Sequence, residues 1–143
     1  MTLKMTLDDL RAFLVDHFPQ VAEDFEILDV SPMHLVLRAL VDEKHLRPGG
    51  TVSGPAMFAL ADVAVYLAIL AMIGPKALAV TTNCAIDFMR KPKANANLRA
   101  EARLLKLGRV LAVGDVLIYS EGAQAPVARA SLTYSIPPEK PAP

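Results

Sequence analysis

The sequence predicts an α+β domain in which a curved antiparallel sheet of about six strands wraps one long buried helix, preceded by a short N-terminal helix. Three observations carry this. Between Thr51 and Pro75 the only charged residue is Asp62, in an apolar run of helical length with no polar face. From Leu78 onward apolar residues recur with a period of two. The alternating runs are separated by short turns, which join antiparallel neighbours. A chain of 143 residues has room for one sizeable core. Residues 1–136 therefore read as one domain, and residues 137–143 (PPEKPAP) as a disordered tail.

The elements follow in order. Thr6 with Asp9 at cap-plus-three resembles a capping box. Leu7, Leu10, Phe13, Leu14 and Phe18 then recur at helical spacing, and Pro19 is expected to end the run. Phe25–Ser31 reads as a strand. So does Met33–Val41, where Met33, Leu35, Leu37, Ala39 and Val41 share one parity. Residues 42–51 (DEKHLRPGGT) form a loop. The long helix starts at Ser53-Gly54-Pro55, with a capping hydroxyl and a proline suited to the first turn. Apolar on every side, it is expected to be buried all round, and its alanines keep it thin enough for a sheet to wrap closely. Gly74-Pro75 stops it. The later strands are Leu78–Met89, a run around Leu98–Leu104, Arg109–Ser120 and a run around Ala128–Ile136. The third is apolar on both parities and reads as a central or interface strand.

Acids and bases number fifteen each, which argues against a nucleic-acid binder of the bulk-basic kind. The charges are nevertheless segregated. Arg90, Lys91, Lys93, Arg99, Arg103, Lys106 and Arg109 form a local basic cluster, which suits a small polyanion better than a duplex. Arg99 and Arg103 alternate with Glu101 and read as a solvated face. Cys84 is the single cysteine, which precludes an intrachain disulfide and a Cys-rich metal site. The acidic first residues do not resemble a secretory leader, and a cytoplasmic setting is expected. Residues 55–74 are long enough to span a bilayer. Asp62, the many alanines and the flanking strands argue instead for a core helix.

At this point the residues resemble a known family. The order of elements is similar to that of the hotdog fold. The segment HLRPGGTVSGPAMFALADVA resembles the signature of the phenylacetate-degradation (PaaI) group of hotdog acyl-CoA thioesterases: Asn or Gln, then Gly, then His-Gly-Gly, then Leu-Ala with Asp or Glu. The spacing fits without a gap from Arg47 to Asp62. TTNCAIDFMRKP, LLKLGRVLAVGDVLI and VARASLTY resemble the family's later strands, so the likeness covers about residues 40–136. Arg47 stands where the family has Asn or Gln, Ser53 at its His and Pro55 at its second Gly. The resemblance implies that the Gly54 amide polarises a thioester carbonyl and that Asp62 is nucleophile or base for water. It also implies a water-orienting hydroxyl near Thr81, and a homodimer, often paired into a homotetramer.

The chemistry also follows from the residues. Thioester cleavage needs a donor for the developing oxyanion and a group that attacks, or activates water to attack, the carbonyl. A helix-start amide such as that of Gly54 supplies the first, and Asp62 the second. Eight helical residues separate them by about 12 Å along the axis, so one chain cannot place both on one carbonyl. An isologous dimer with antiparallel helices can. Arg47 is expected to approach the Asp62 carboxylate or the thioester oxygen across that dimer. Ser53 reads as a cap beside the substrate, Phe58 and Tyr66 as acyl-pocket lining, and Arg90, Lys91, Lys106 and Arg109 as partners for coenzyme A phosphates. His17, His34 and His45 lack metal-ligand spacing, so no metal is expected, and coenzyme A enters only as part of the substrate. The leading expectation is hydrolysis of a small or medium acyl-CoA, aryl-acyl-CoA included. The rivals are a non-catalytic acyl-CoA-binding module and a hotdog hydratase.

Overall fold

The computed structural model describes residues 2–138. The chain opens with α1 (Leu7–His17), and its capping box is formed: Asp9 N–H donates to Thr6 Oγ1 at 3.1 Å, and Thr6 N–H to Asp9 Oδ2 at 2.9 Å. Leu10, Phe13 and Leu14 face the core. Pro19 does more than end this helix. It occupies the first position of a second, four-residue helix, α2 (Pro19–Ala22), where its missing N–H costs nothing.

Strands β1 (Phe25–Ser31) and β2 (His34–Ala39) form a hairpin. β2 starts after Met33 because Met33 has φ 65°, a turn conformation that takes it out of the strand. The long helix, α3 (Gly54–Ile73), follows. Then come β3 (Val80–Phe88), β4 (Leu98–Leu107), β5 (Leu111–Ser120) and β6 (Ala128–Ser135). All six strands make one antiparallel sheet in the order β1-β2-β4-β5-β6-β3. The sheet curves around α3, so this is a hotdog fold. β5 is a central strand between β4 and β6, but only one of its faces is buried in the protomer: Ala112, Val116 and Ile118 point inward, while Leu111 and Leu117 of the other parity are exposed. β3 lies at one edge, paired only with β6.

The predicted inward faces are the observed ones. Leu35 and Leu37 of β2, Leu98, Ala100, Ala102 and Leu104 of β4, and Ala128, Ala130, Leu132 and Tyr134 of β6 are all buried. β3 needs one adjustment. Its pairing with β6 shifts register between Thr81 and Asn83, so Thr82 is the extra residue of a bulge. Thr81 opposes Tyr134, whereas Cys84 opposes Leu132 and Ile86 opposes Ala130. Because side chains alternate along a strand, the bulge alone lets Thr81 share the helix-facing side with Cys84 and Ile86.

By length and hydropathy α3 could cross a membrane, but 72% of its most apolar window is buried by this protein's own sheet and helices. It is the core element. β5 approaches it so closely that a Cβ on Gly114 would lie 3.1 Å from Val65 Cγ1 and 3.4 Å from the Arg103 carbonyl. Gly114→Ala therefore costs about 1–3 kcal/mol by overpacking, read as a lower urea midpoint at unchanged slope. The expectation of burial on every side holds from Leu60 to Met72 apart from Asp62, and fails nearer the start. Pro55, Phe58 and Ala59 are exposed and form an open stripe that runs on to Asp62. They follow helical spacing, so they share one face. The tail expected at 137–143 lies outside the described residues except for Pro137 and Pro138.

Candidate functional site

The start of α3 is stripped of donors with one exception. Ser53 is the cap, and its hydroxyl accepts from Ala56 N–H at 3.2 Å. Met57 N–H reaches the Ser53 carbonyl at 3.2 Å, and Ser53 N–H is taken by the His45 carbonyl at 2.8 Å. Pro55 has no N–H. Among the described residues the Gly54 N–H is left as the one first-turn donor without an acceptor. Ser53 and Pro55 thus leave this donor single instead of removing it. The Phe88 ring lies over the same residue: a Cβ on Gly54 would meet Phe88 Cζ at 3.2 Å.

Arg47 is delivered to this end by a tight loop. Leu46 bridges Val52, Arg47 N–H donates to the Thr51 carbonyl at 2.8 Å, and Gly49 and Gly50 turn the chain at φ 103° and 82°. Arg47, Gly54, Phe88, Arg90 and Lys91 line one cleft of about 620 Å³. Arg90 spends one guanidinium N–H on the Pro126 carbonyl at 2.8 Å. Arg47 and Lys91 have no ion-pair partner among the described residues.

Asp62 sits two turns further along α3. Its Oδ1 accepts from the Thr81 hydroxyl at 2.5 Å and from the Tyr134 hydroxyl at 2.6 Å. The Tyr134 oxygen is also 3.0 Å from the Asp62 carbonyl. Among the described residues Oδ2 has no hydrogen-bond partner. Burial first, and the Asp62 charge second, push Tyr134 far above the ordinary phenol range, so its hydroxyl stays protonated and donates. The Cys84 thiol is raised by burial and then by Asp62, so it stays a thiol on β3.

The chain therefore gathers the candidates into two separate groups. Gly54, Arg47, Ser53, Arg90 and Lys91 lie at the start of α3, and Asp62 with Thr81 lies midway along it. Among the described residues no hydrogen bond or ion pair joins Gly54 or Arg47 to Asp62 within the protomer. The basic cluster is divided as well. β4 carries the chain ten residues, about 30 Å, from one end of the sheet to the other. Lys106 and Arg109 accordingly flank the β4–β5 turn at the far end, where Arg109 lines a different cleft with Ile73 and Ser135. The two aromatic candidates also separate. Phe58 is 40% exposed on the open stripe. Tyr66 is a core residue: it packs near Phe13, Phe18 and Tyr134, and its hydroxyl donates to the Ala77 carbonyl at 3.0 Å. Tyr134 is the participant that sequence reasoning missed, although alternation had already put it on the buried face.

A family model described as Thioesterase superfamily matches residues 49–127. The crystal structure of a provisionally assigned thioesterase from Silicibacter sp. TM1040 is 57% identical, with 96% of each chain covered and a TM-score of 0.91. The phenylacetic acid degradation protein PaaI from Thermus thermophilus, solved as a mutant, is 32% identical over 82% of this chain and 97% of that one, with a TM-score of 0.71. A Streptococcus mutans protein solved with acetyl CoA is 25% identical over 82% of this chain and 91% of that one, with a TM-score of 0.70. Matched to a Caenorhabditis elegans protein provisionally named an esterase, at 30% identity, the chain spans 58% of that protein's length.

Proposed function

This chain belongs to the thioesterase superfamily, and from that premise we propose that it hydrolyses a small or medium acyl-CoA thioester, aryl-acyl-CoA included, at sites shared between two protomers. The observation that carries this is the state of Asp62. One of its oxygens is held by two hydroxyl donors, the other has no partner among the described residues, and the only acid of α3 thereby faces an open stripe instead of a salt bridge among them. The acetyl CoA held by the Streptococcus mutans relative supports coenzyme A as the carrier.

In this reading a carbonyl lies between Asp62 of one protomer and the Gly54 N–H of the other. Asp62 takes a proton from water as the water oxygen bonds to the carbonyl carbon. The Gly54 N–H stabilises the oxyanion, and collapse breaks the C–S bond, with the coenzyme A thiolate recovering the proton. Alternatively the carboxylate itself attacks, expels the thiolate and forms an anhydride that water then opens. Both routes need the same two groups. The about 12 Å that α3 puts between them requires the second copy. Phe58 on α3, together with Leu78, Val80, Phe88 and Met89 around the open β3 edge, gives that copy an exposed apolar surface to cover. Arg47 comes with Gly54 and so would approach the partner protomer's acid.

The test is an acyl-CoA panel (acetyl-, hexanoyl- and phenylacetyl-CoA) read by free-thiol release, with mass measured in solution by ultracentrifugation. Thiol release from a dimer or a dimer of dimers supports the reading. A stable active monomer defeats it, binding without turnover favours the sensing module, and enoyl-CoA hydration without thiol favours the hydratase.

The cleft at the start of α3 makes a further prediction. Lys91→Ala raises KM for the acyl-CoA about 3- to 5-fold, as expected for one partly screened ion pair. It leaves KM for the matching acyl-pantetheine, which lacks the nucleotide phosphates, unchanged. The effect fades in high salt. The same comparison on Arg109→Ala reports whether the far end of the sheet also meets the phosphates.

A further inference from the structure

We propose that Tyr134 is a positioning residue for the reaction: with Thr81 it pins the Asp62 carboxylate by Oδ1, so that Oδ2 is the oxygen presented to the reactant. This rests on Asp62 being the reacting acid. A carboxylate on a helix turns readily about its last torsion, and its two oxygens are then interchangeable. Here they are not. Tyr134 from β6 and Thr81 from β3 both donate to Oδ1, at 2.6 and 2.5 Å, and among the described residues Oδ2 receives nothing.

The arrangement is built by the fold. Tyr134 and Thr81 are direct partners across the β3–β6 ladder, and the Thr82 bulge puts Thr81 on the helix-facing side. Tyr134 is only 3% exposed, and its ring lies 6.1 Å from that of Tyr66, so it cannot swing away. Its hydroxyl is placed to donate to two acceptors on Asp62, Oδ1 and, at 3.0 Å, the main-chain carbonyl, with the Thr81 hydroxyl beside it. It thereby ties the side chain of Asp62 to the backbone of the same residue. A buried phenol needs an acceptor. This one is spent wholly on the acid, and Tyr134 lies outside the glycine–Leu-Ala-Asp segment that supplies the proposed catalytic groups.

Tyr134→Phe removes one oxygen and keeps the ring. We expect kcat to fall about 10- to 50-fold, because a misdirected reacting group costs up to about 10²-fold. KM for the fastest panel substrate should stay within about twofold, since Tyr134 does not touch the substrate. Placing 3-fluorotyrosine at position 134, which restores the donor, should bring kcat back to within about threefold of wild type. Asp62→Asn is measured alongside. If it keeps full activity, the reading of Asp62 has failed. If it is inactive while Tyr134→Phe keeps kcat within about twofold, the positioning proposal alone is overturned. A Tyr134→Phe protein that loses its cooperative melt, or whose kcat loss 3-fluorotyrosine does not restore, also overturns it by making the residue structural.

Discussion

Asp62→Asn is expected to abolish thiol release while leaving the protein folded. The asparagine side-chain oxygen can still accept from Thr81 and Tyr134, so the contacts that hold the residue in place survive. Replacing the carboxylate by a neutral group of the same shape also relieves the cost of a half-buried charge, so the melting temperature should not fall. What disappears is the only group on α3 able to take a proton or attack a carbonyl. Removing a general base typically costs about 10²- to 10⁴-fold, and kcat should fall by that much or more. The measurement is thiol release on the best panel substrate together with a thermal melt. A variant that keeps more than about a tenth of wild-type turnover would take Asp62 out of the chemistry.

The sequence makes Asp62 conspicuous because it breaks a pattern: one acid in a run where every neighbour is apolar. The same logic made the faces of β2, β4 and β6 legible, since alternation of buried and exposed residues is local information. What was not legible depends on pairing. The family spacing points to Thr81, but that it meets Asp62 depends on the bulge, a property of β3 against β6. Alternation places Tyr134 on the buried face but does not say where its hydroxyl bonds. A buried phenol and a lone buried acid in one small core are natural partners, and that was the available signal. The basic cluster divides for the opposite reason. Residues 90–109 are close in sequence, but a strand of ten residues carries Lys106 and Arg109 to the far end. Tyr66 follows Asp62 by one turn, yet it lies against α1, where Phe13 and the C-cap residue Phe18 pack near its ring.

The role of Gly54 can be separated from the helix it begins by moving the proline one residue back. In wild type the donor is at 54 and the residue without an N–H is at 55. Gly54→Pro combined with Pro55→Ala reverses the two. The exchange suits the local backbone: Ser53 has φ −73° and ψ 156°, the extended conformation favoured before proline, and position 54 is the first helical residue, where proline is well tolerated. Gly54 does not have a positive φ, so the ring is not forced into a strained region. Its added carbons meet Phe88 at Cζ, the far end of that side chain, at about the contact distance noted above. Ser53 can still cap Ala56. The melting temperature should therefore change by only a few degrees. Loss of a single oxyanion donor costs about 10²- to 10³-fold in kcat, and that is the fall expected for the exchange. Pro55→Ala alone keeps the Gly54 N–H and should stay within about threefold of wild type. If the exchanged protein is as active as wild type, the oxyanion is held elsewhere. If Pro55→Ala alone loses activity to the same extent, the proline matters for the shape of the cleft and the loss is not owed to the Gly54 amide. Wild type and the exchanged protein each carry one proline in the first turn of α3. A collapse in turnover that is shared neither by Pro55→Ala nor by Gly54→Ala combined with Pro55→Ala, which adds carbon at 54 but keeps its N–H, is owed to the donor at Gly54.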